Sequence, residues 1–150
     1  MITARLASET DSMDLLDWRN DPITLKSFFN QRIIEKEDHE KWYGNILSSE
    51  HSMIIILEIN KRKIGMVRYD KKRADYYVSL NTNPIHRGKG YASEMLVCSE
   101  RFIDSGKEEI KIVADILIDN KISIRTFTSA GYKFAKRKEN FFRYIKMISN

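Results

Sequence analysis

Gly88 and Gly90 stand where an apolar, strand-like run passes directly into a helix-like one, in Pro84-Ile85-His86-Arg87-Gly88-Lys89-Gly90-Tyr91-Ala92-Ser93-Glu94-Met95-Leu96. A strand, a glycine loop and a helix in immediate succession restrict the fold more than any other stretch of this chain. The first turn of the helix has amide N–H groups without intrahelical partners, and these carry partial positive charge. Glycine has no Cβ, so the backbone can turn sharply and a ligand can come close to those amides. A phosphate suits such a place. Arg87 and Lys89 add full charges beside it, so main chain and side chains together can hold a pyrophosphate.

Spacing narrows the choice of ligand. A nucleotide-triphosphate loop requires Gly, four residues, then Gly-Lys-Ser/Thr, and no such run exists. A dinucleotide fingerprint requires a third glycine where this chain has Ser93. The pattern that remains is Arg87-x-x-Gly90-x-Ala92. It resembles the pyrophosphate loop, Arg/Gln-x-x-Gly-x-Gly/Ala, of the GNAT superfamily of acyl-CoA-dependent N-acyltransferases. A plain strand-to-helix turn is the other reading of the same glycines.

The rest of the chain alternates period. Residues 2–7 alternate as a strand, and Met13 to Arg19 reads as a helix that must end near Asn20 ahead of Pro22. A second helix is expected over about 35–48, with His39, Trp42, Tyr43 and Ile46 on one face. Met53 to Ile59 is nearly continuously apolar and suits a strand covered on both sides. Asn60-Lys61-Arg62-Lys63 turns it into a hairpin with 64–69, and 74–82 is the strand entering the glycine loop. The helix after the loop is expected over about 89–104 with Gly106 as its cap, followed by a strand at 110–118. A last helix capped by Asp119 or Asn120 stops at Gly131, and a hairpin of 132–137 and 141–148 closes the chain. The order β-α-α-β-β-β-α-β-α-β-β is a mixed α/β sheet protein, expected as one domain over 1–150. It is also the element order of the GNAT fold, so the resemblance extends over essentially the whole chain.

Composition excludes several other classes. No apolar run approaches the about 20 residues that cross a bilayer. The amino terminus lacks a long apolar signal region, so a cytoplasmic location and no membrane partner are expected. Cys98 has no partner cysteine, and His39, His51 and His86 have no metal-ligand spacing, so no metal is expected. The formal charge of +5 is spread along the chain, with short basic runs at 61–63, 71–73 and 136–138 that read as solvated turns. A basic nucleic-acid-binding module is the competing class, and salt-sensitive binding indifferent to acetyl-CoA would mark it. An anionic cofactor accounts for the sign equally well, so no nucleic acid is expected.

The resemblance implies acetyl-CoA as cofactor and an acetyl transfer to a primary amine. In this family the strands on either side of the loop helix splay apart around the pantetheine arm, here 74–82 and 110–118. Backbone of Leu80, Asn81 and Thr82 would then follow pantetheine, and Arg87, Gly88, Lys89, Gly90, Tyr91 and Ala92 would surround the pyrophosphate. Asn120 matches the family's asparagine at the start of the last helix, and it is equally an ordinary cap. Phe127 stands where the family commonly has a tyrosine that protonates the leaving sulfur. A phenyl ring cannot do this, which leaves water, Tyr132 or Tyr144, or an unprotonated thiolate. That departure also motivates a non-catalytic acyl-CoA sensor as an alternative.

Asp75 occupies a position where many members carry a glutamate base, and His39 is the second candidate because imidazole titrates near neutral pH. Trp18-Arg19-Asn20-Asp21 and Glu37-Asp38-His39-Glu40-Lys41-Trp42-Tyr43 resemble the amino-terminal region of sugar-nucleotide N-acetyltransferases, including those of the pseudaminic-acid branch of surface-glycan synthesis. Trp18 and Trp42 can stack on a sugar or base, and Arg19 and Asn20 can bind phosphate or hydroxyls. The chain is also similar to ribosomal-protein alanine acetyltransferases, which makes a protein amino terminus the alternative acceptor. Family members often dimerise, so a homodimer belongs to the expectation.

Overall fold

The computed structural model describes residues 1–103, 106 and 108–149. Seven strands form one mixed sheet: β1 (Thr3–Leu6), β2 (Ser52–Ile59), β3 (Arg62–Lys72), β4 (Asp75–Thr82), β5 (Ile110–Leu117), β6 (Lys133–Arg137) and β7 (Phe141–Ile148), in the spatial order β1-β2-β3-β4-β5-β7-β6. The helices are α1 (Ser12–Arg19), α2 (Pro22–Leu25), α3 (Lys36–Leu47), α4 (Ala92–Ser99) and α5 (Lys121–Ser129). This is the expected order with α2 added.

The sheet divides two cores. In β2, Ile55 and Leu57 enter one cluster with Met95 and Leu96 of α4 and Phe127 of α5. Ile54 and Ile56 face the other, with Leu15 and Trp18 of α1 and Tyr43 of α3. The unbroken apolar run from Met53 to Leu57 is what such double coverage requires. Asn60 and Lys61, both at positive φ, form the two-residue turn between β2 and β3. A primed turn of this kind matches the twist of its strands, and Asn tolerates the left-handed region better than most residues.

β4 and β5 are parallel and pair only at Tyr76↔Ile112 and Tyr77↔Val113 among the described residues. β4 continues to Thr82 against β3, with Val67↔Leu80, Met66↔Asn81 and Gly65↔Thr82. Its other edge is therefore released after the second pair. Gly65 allows close packing here, because a Cβ would stand 2.4 Å from Met95 Cε and 2.7 Å from the Asn81 carbonyl oxygen.

A buried carboxylate fastens the first helix to the sheet. Asp11, with no exposed surface, accepts from Arg5 Nη1 and Nη2 at 2.8 and 2.9 Å, from the Ser8 amide at 2.9 Å, and pairs with Lys63 Nζ at 2.7 Å. Burial works against its charge, but the bonds from Arg5 and Lys63 outweigh burial and hold its carboxyl well below the ordinary range.

The helix after the glycine loop is shorter than its sequence suggests. It begins at Ala92, because Gly88 and Gly90 take φ of +81° and +77°, and it passes after Ser99 into a single 3-10 turn, Glu100–Phe102. The cap of α4 is Glu100, and Gly106 lies in an exposed turn beyond it; the expected end at 104 falls outside the described residues.

Candidate functional site

The glycine loop is anchored from β3. The Asn83 amide N–H donates to the Ile64 carbonyl at 2.9 Å, and Asn83 Nδ2 donates to the Lys63 carbonyl, also at 2.9 Å. From there the chain makes a 3-10 turn, Pro84–His86, and Arg87 is extended. A Cβ on Gly88 or Gly90 would meet no atom within 4 Å, so positive φ rather than crowding demands glycine, and the space before the loop is open. The amides of Gly90 to Glu94 make no hydrogen bond among the described residues. Lys89 Nζ lies 3.5 Å from His86 Nδ1, and burial, with Lys89 and Arg62 nearby, lowers the His86 pKa and favours its neutral form. Free amides, a helix start and the Arg87 and Lys89 cations form a cradle that fits a pyrophosphate.

Beside the cradle runs the open edge of β4. Thr82 ends the strand, and Leu80 and Asn81 both line a cavity of about 640 Å³ on the α1/α3 side of the sheet. Asn81 is 7% exposed, and its side-chain amide has no hydrogen-bond partner among the described residues. The amide opens onto the cavity, where solvent or a ligand can pair with it. Asn81 alternates with Ser79 on this floor, opposite Met66 and Arg68 of β3. Arg68 is held by Asp70 through Nε at 3.1 Å, and its guanidinium carbon stands 5.0 Å from the Trp42 ring centre.

The outer wall is residues 28–34, and two side chains of α1 and its cap hold it. Arg19 Nη2 donates to the Asn30 carbonyl at 2.7 Å, with the guanidinium carbon 3.9 Å above the Phe28 ring; Arg19 Nη1 is buried without a partner. Asn20 is bidentate to Ile34: Nδ2 donates to its carbonyl and Oδ1 accepts from its amide, both at 2.8 Å. Phe28, Phe29 and Trp42 make the cavity aromatic, and Arg19, Arg32 and Arg68 against Asp38 make it basic.

His39 lines the same cavity, 3% exposed, stacked on Tyr43 at 5.6 Å between ring centres. Its Nε2 lies 2.8 Å from the Ser12 carbonyl. A carbonyl only accepts, so Nε2 is the donor, and in the neutral imidazole Nδ1 carries the lone pair.

The structure thus brings together Arg19, His39, Trp42, Leu80 and Asn81, and places the other expected residues elsewhere. Trp18 is 5% exposed in the second core, away from the cavity lining. Core packing uses its whole ring. Asn20 spends its amide on Ile34 and acts on the cavity through that wall. Asp75 is the first residue of β4, opposite Lys72 at the hairpin turn, and is not among the cavity's lining residues. Six residues of strand separate it from Asn81, about 20 Å. Asn120 caps α5, with Oδ1 accepting from the Ser123 amide at 3.2 Å, which leaves Nδ2 unengaged. Phe127 is buried edge-on against Tyr132, whose hydroxyl is buried and unpartnered; burial, with Tyr69 and Glu100 nearby, pushes that phenol's pKa far up.

Sequence reasoning overlooked the Asn81 side chain, Ser79, Arg68 and the wall of Phe28, Phe29 and Arg32. Strand alternation already placed 79 and 81 on one face, but the wall carries no periodicity that could announce it. Among the described residues no cluster of His, Cys, Asp and Glu is arranged to hold a metal ion, and no helix is long and apolar enough to cross a membrane.

Comparison with known proteins adds an independent line. Residues 2–133 match the acetyltransferase (GNAT) domain family. The uncharacterized N-acetyltransferase YfmK of Bacillus subtilis is 27% identical over 95 residues, a match spanning 62% of this chain and 62% of that protein. Among solved structures, a domain from Methanocaldococcus jannaschii is 25% identical with a TM-score of 0.83, covering 99% of both chains. A spermidine N-acetyltransferase from Vibrio cholerae, in complex with CoA and spermine, is similar in fold with a TM-score of 0.80 at 14% identity, covering 99% of this chain and 95% of its own.

Proposed function

The chain belongs to the GNAT acetyltransferase family, and from that premise we propose that it moves an acetyl group from acetyl-CoA to the primary amine of a small anionic acceptor, a nucleotide-linked amino sugar. The observation that carries the acceptor class is the cavity lining: three aromatic rings and Arg19, Arg32 and Arg68 against one Asp38. Stacked rings suit a base or sugar, and guanidinium groups suit its phosphates. A polyamine would meet like charge at the same surface.

Bound acetyl-CoA supplies an acyl thioester already activated toward amines. Arg87, Lys89 and the free amides at the start of α4 would hold its phosphates, and the open edge of β4 about Leu80, Asn81 and Thr82 would flank its arm. Asn120 Nδ2 is free to reach the same arm. Asn81, between Leu80 and Thr82 of that edge and with its amide in the cavity, stands at the junction of the two subsites and orients the acceptor amine. His39, with Nε2 donating to Ser12, takes the proton from the amine at Nδ1 in its neutral tautomer, directly or through water. Asp75 has no part in this scheme, since it lies at the far end of β4. Phe127 contributes an apolar wall and no proton.

The test is release of free CoA from acetyl-CoA against parallel panels of amino-sugar nucleotides, short peptides with free amino termini, and polyamines. Turnover on the nucleotide panel alone is the expected result. Turnover confined to peptides would move the acceptor to a protein amino terminus, and acetyl-CoA binding without turnover on any panel would favour the sensor reading.

A further inference from the structure

The first residue of the glycine loop is gripped by α2 and its cap, the stretch that leads into the wall of the acceptor cavity. Arg87 Nη2 donates to Asp21 Oδ2 at 2.6 Å and to Thr24 Oγ1 at 2.9 Å. The same Asp21 oxygen accepts from the Ile23 and Thr24 amides, each at 3.1 Å, as the cap of α2. One carboxylate oxygen therefore joins a helix start to a loop 66 residues away. Directly after α2 comes the wall, tied to α1 through Arg19–Asn30 and Asn20–Ile34. A guanidinium presents five N–H donors in a rigid fork. Both contacts use Nη2, and Nε and Nη1 have no partner among the described residues.

We propose that Asp21 is a positioning residue that makes Arg87 a bridge between the cofactor's phosphates and the acceptor wall, so that binding of CoA tightens residues 22–34. The inference rests on the acetyl-CoA reading above. Asp21 stays with the α2 amides while Arg87 turns its unused edge to the pyrophosphate, and the ion pair is kept when the cofactor arrives. Acceptor binding is then favoured on the cofactor complex, since the wall has already lost its freedom.

Amide hydrogen exchange over residues 22–34, with and without saturating CoA, tests this without any acceptor. Two variants complete it: Asp21→Asn, which keeps a capping oxygen but removes the charge, and Thr24→Val, which removes the second contact and leaves the cap. CoA should slow exchange in 22–34 of the wild type by about threefold, the size of an exposed ion pair. Asp21→Asn should still bind CoA but lose the slowing, and Thr24→Val should lose part of it. Unchanged exchange in a wild type that binds CoA would overturn the coupling alone. Tighter CoA binding by Asp21→Asn would overturn it differently, by marking the carboxylate as a competitor for Arg87. A wild type that does not bind CoA would overturn the cofactor reading and this inference with it. Should Asp21→Asn fail to fold, Thr24→Val decides.

Discussion

The glycine loop and the acceptor cavity lie next to each other and are built on opposite principles. The loop works through main-chain amides, and its side chains at Gly88 and Gly90 are absent so that φ can be positive. The cavity works through side chains delivered from α1, the 28–34 wall, α3, β3 and β4, several tied to residues far away in sequence, as Asn20 is to Ile34 and His39 to Ser12. A main-chain site is specified by a few adjacent residues. A side-chain site depends on the whole fold being right, and it can change its ligand by replacing one wall.

Substitutions should separate the two. The largest effect is expected from Gly90→Glu, which puts a side chain and a negative charge into the cradle. CoA affinity should fall by at least about a hundredfold, read by titration calorimetry, with the cavity side intact. A folded Gly90→Glu protein with normal CoA affinity would remove the loop from the cofactor site.

Acid should act on the cavity side first, through the Asp11 cluster that seats α1. Asp11 has a folded-state pKa below its unfolded value of about 3.9. Its stabilisation is thus complete above that unfolded value and is lost as pH falls below it. The loss between pH 6 and pH 3, measured as urea stability, should be about 1 kcal/mol, with more lost below pH 3, and Asp11→Asn should flatten the difference. An Asp11→Asn protein with the wild-type pH slope would show that other carboxylates carry it.

Asn81→Leu sharpens the comparison at the residue shared by both sites. Replacing this cavity-facing amide by an apolar side chain should leave the thermal midpoint nearly unchanged, while turnover drops about tenfold with CoA affinity retained. Equal turnover would mean that the amide orients nothing. The smallest effect is expected from Asn20→Ala, which frees the wall at Ile34. The acceptor KM should rise about fivefold with the CoA constant unmoved, and a proportional loss in both would instead indicate a general loosening of α1.

Legibility in the sequence followed the same division. The loop, the order of strands and the double coverage of β2 were readable because each is written in adjacent or alternating residues, such as Ile54 to Leu57. Trp18 and Trp42 look alike in a sequence, and only the packing of α1 and α3 puts one in the core and the other on the cavity. Asp75 was readable as part of the strand that enters the loop, but residue type does not tell how far along the strand the chemistry lies. α2 and the wall escaped because Lys26 to Ile34 owes its shape to Asn20 and Arg19 rather than to a pattern of its own.

The two residue pairs between β4 and β5 carry a consequence for how the molecule holds together. Strands β1 to β4 form one hydrogen-bonded half and β5 to β7 the other, and the seam between them has two rungs. A pantetheine arm lying in the seam, as proposed above, would act as a surrogate strand and couple ligand binding to folding cooperativity. Heating the free protein should open the seam before either half melts. CoA at a hundred times its dissociation constant should restore a single transition, with about 2.7 kcal/mol of added stability. The substrate of such an enzyme is also a component of its architecture.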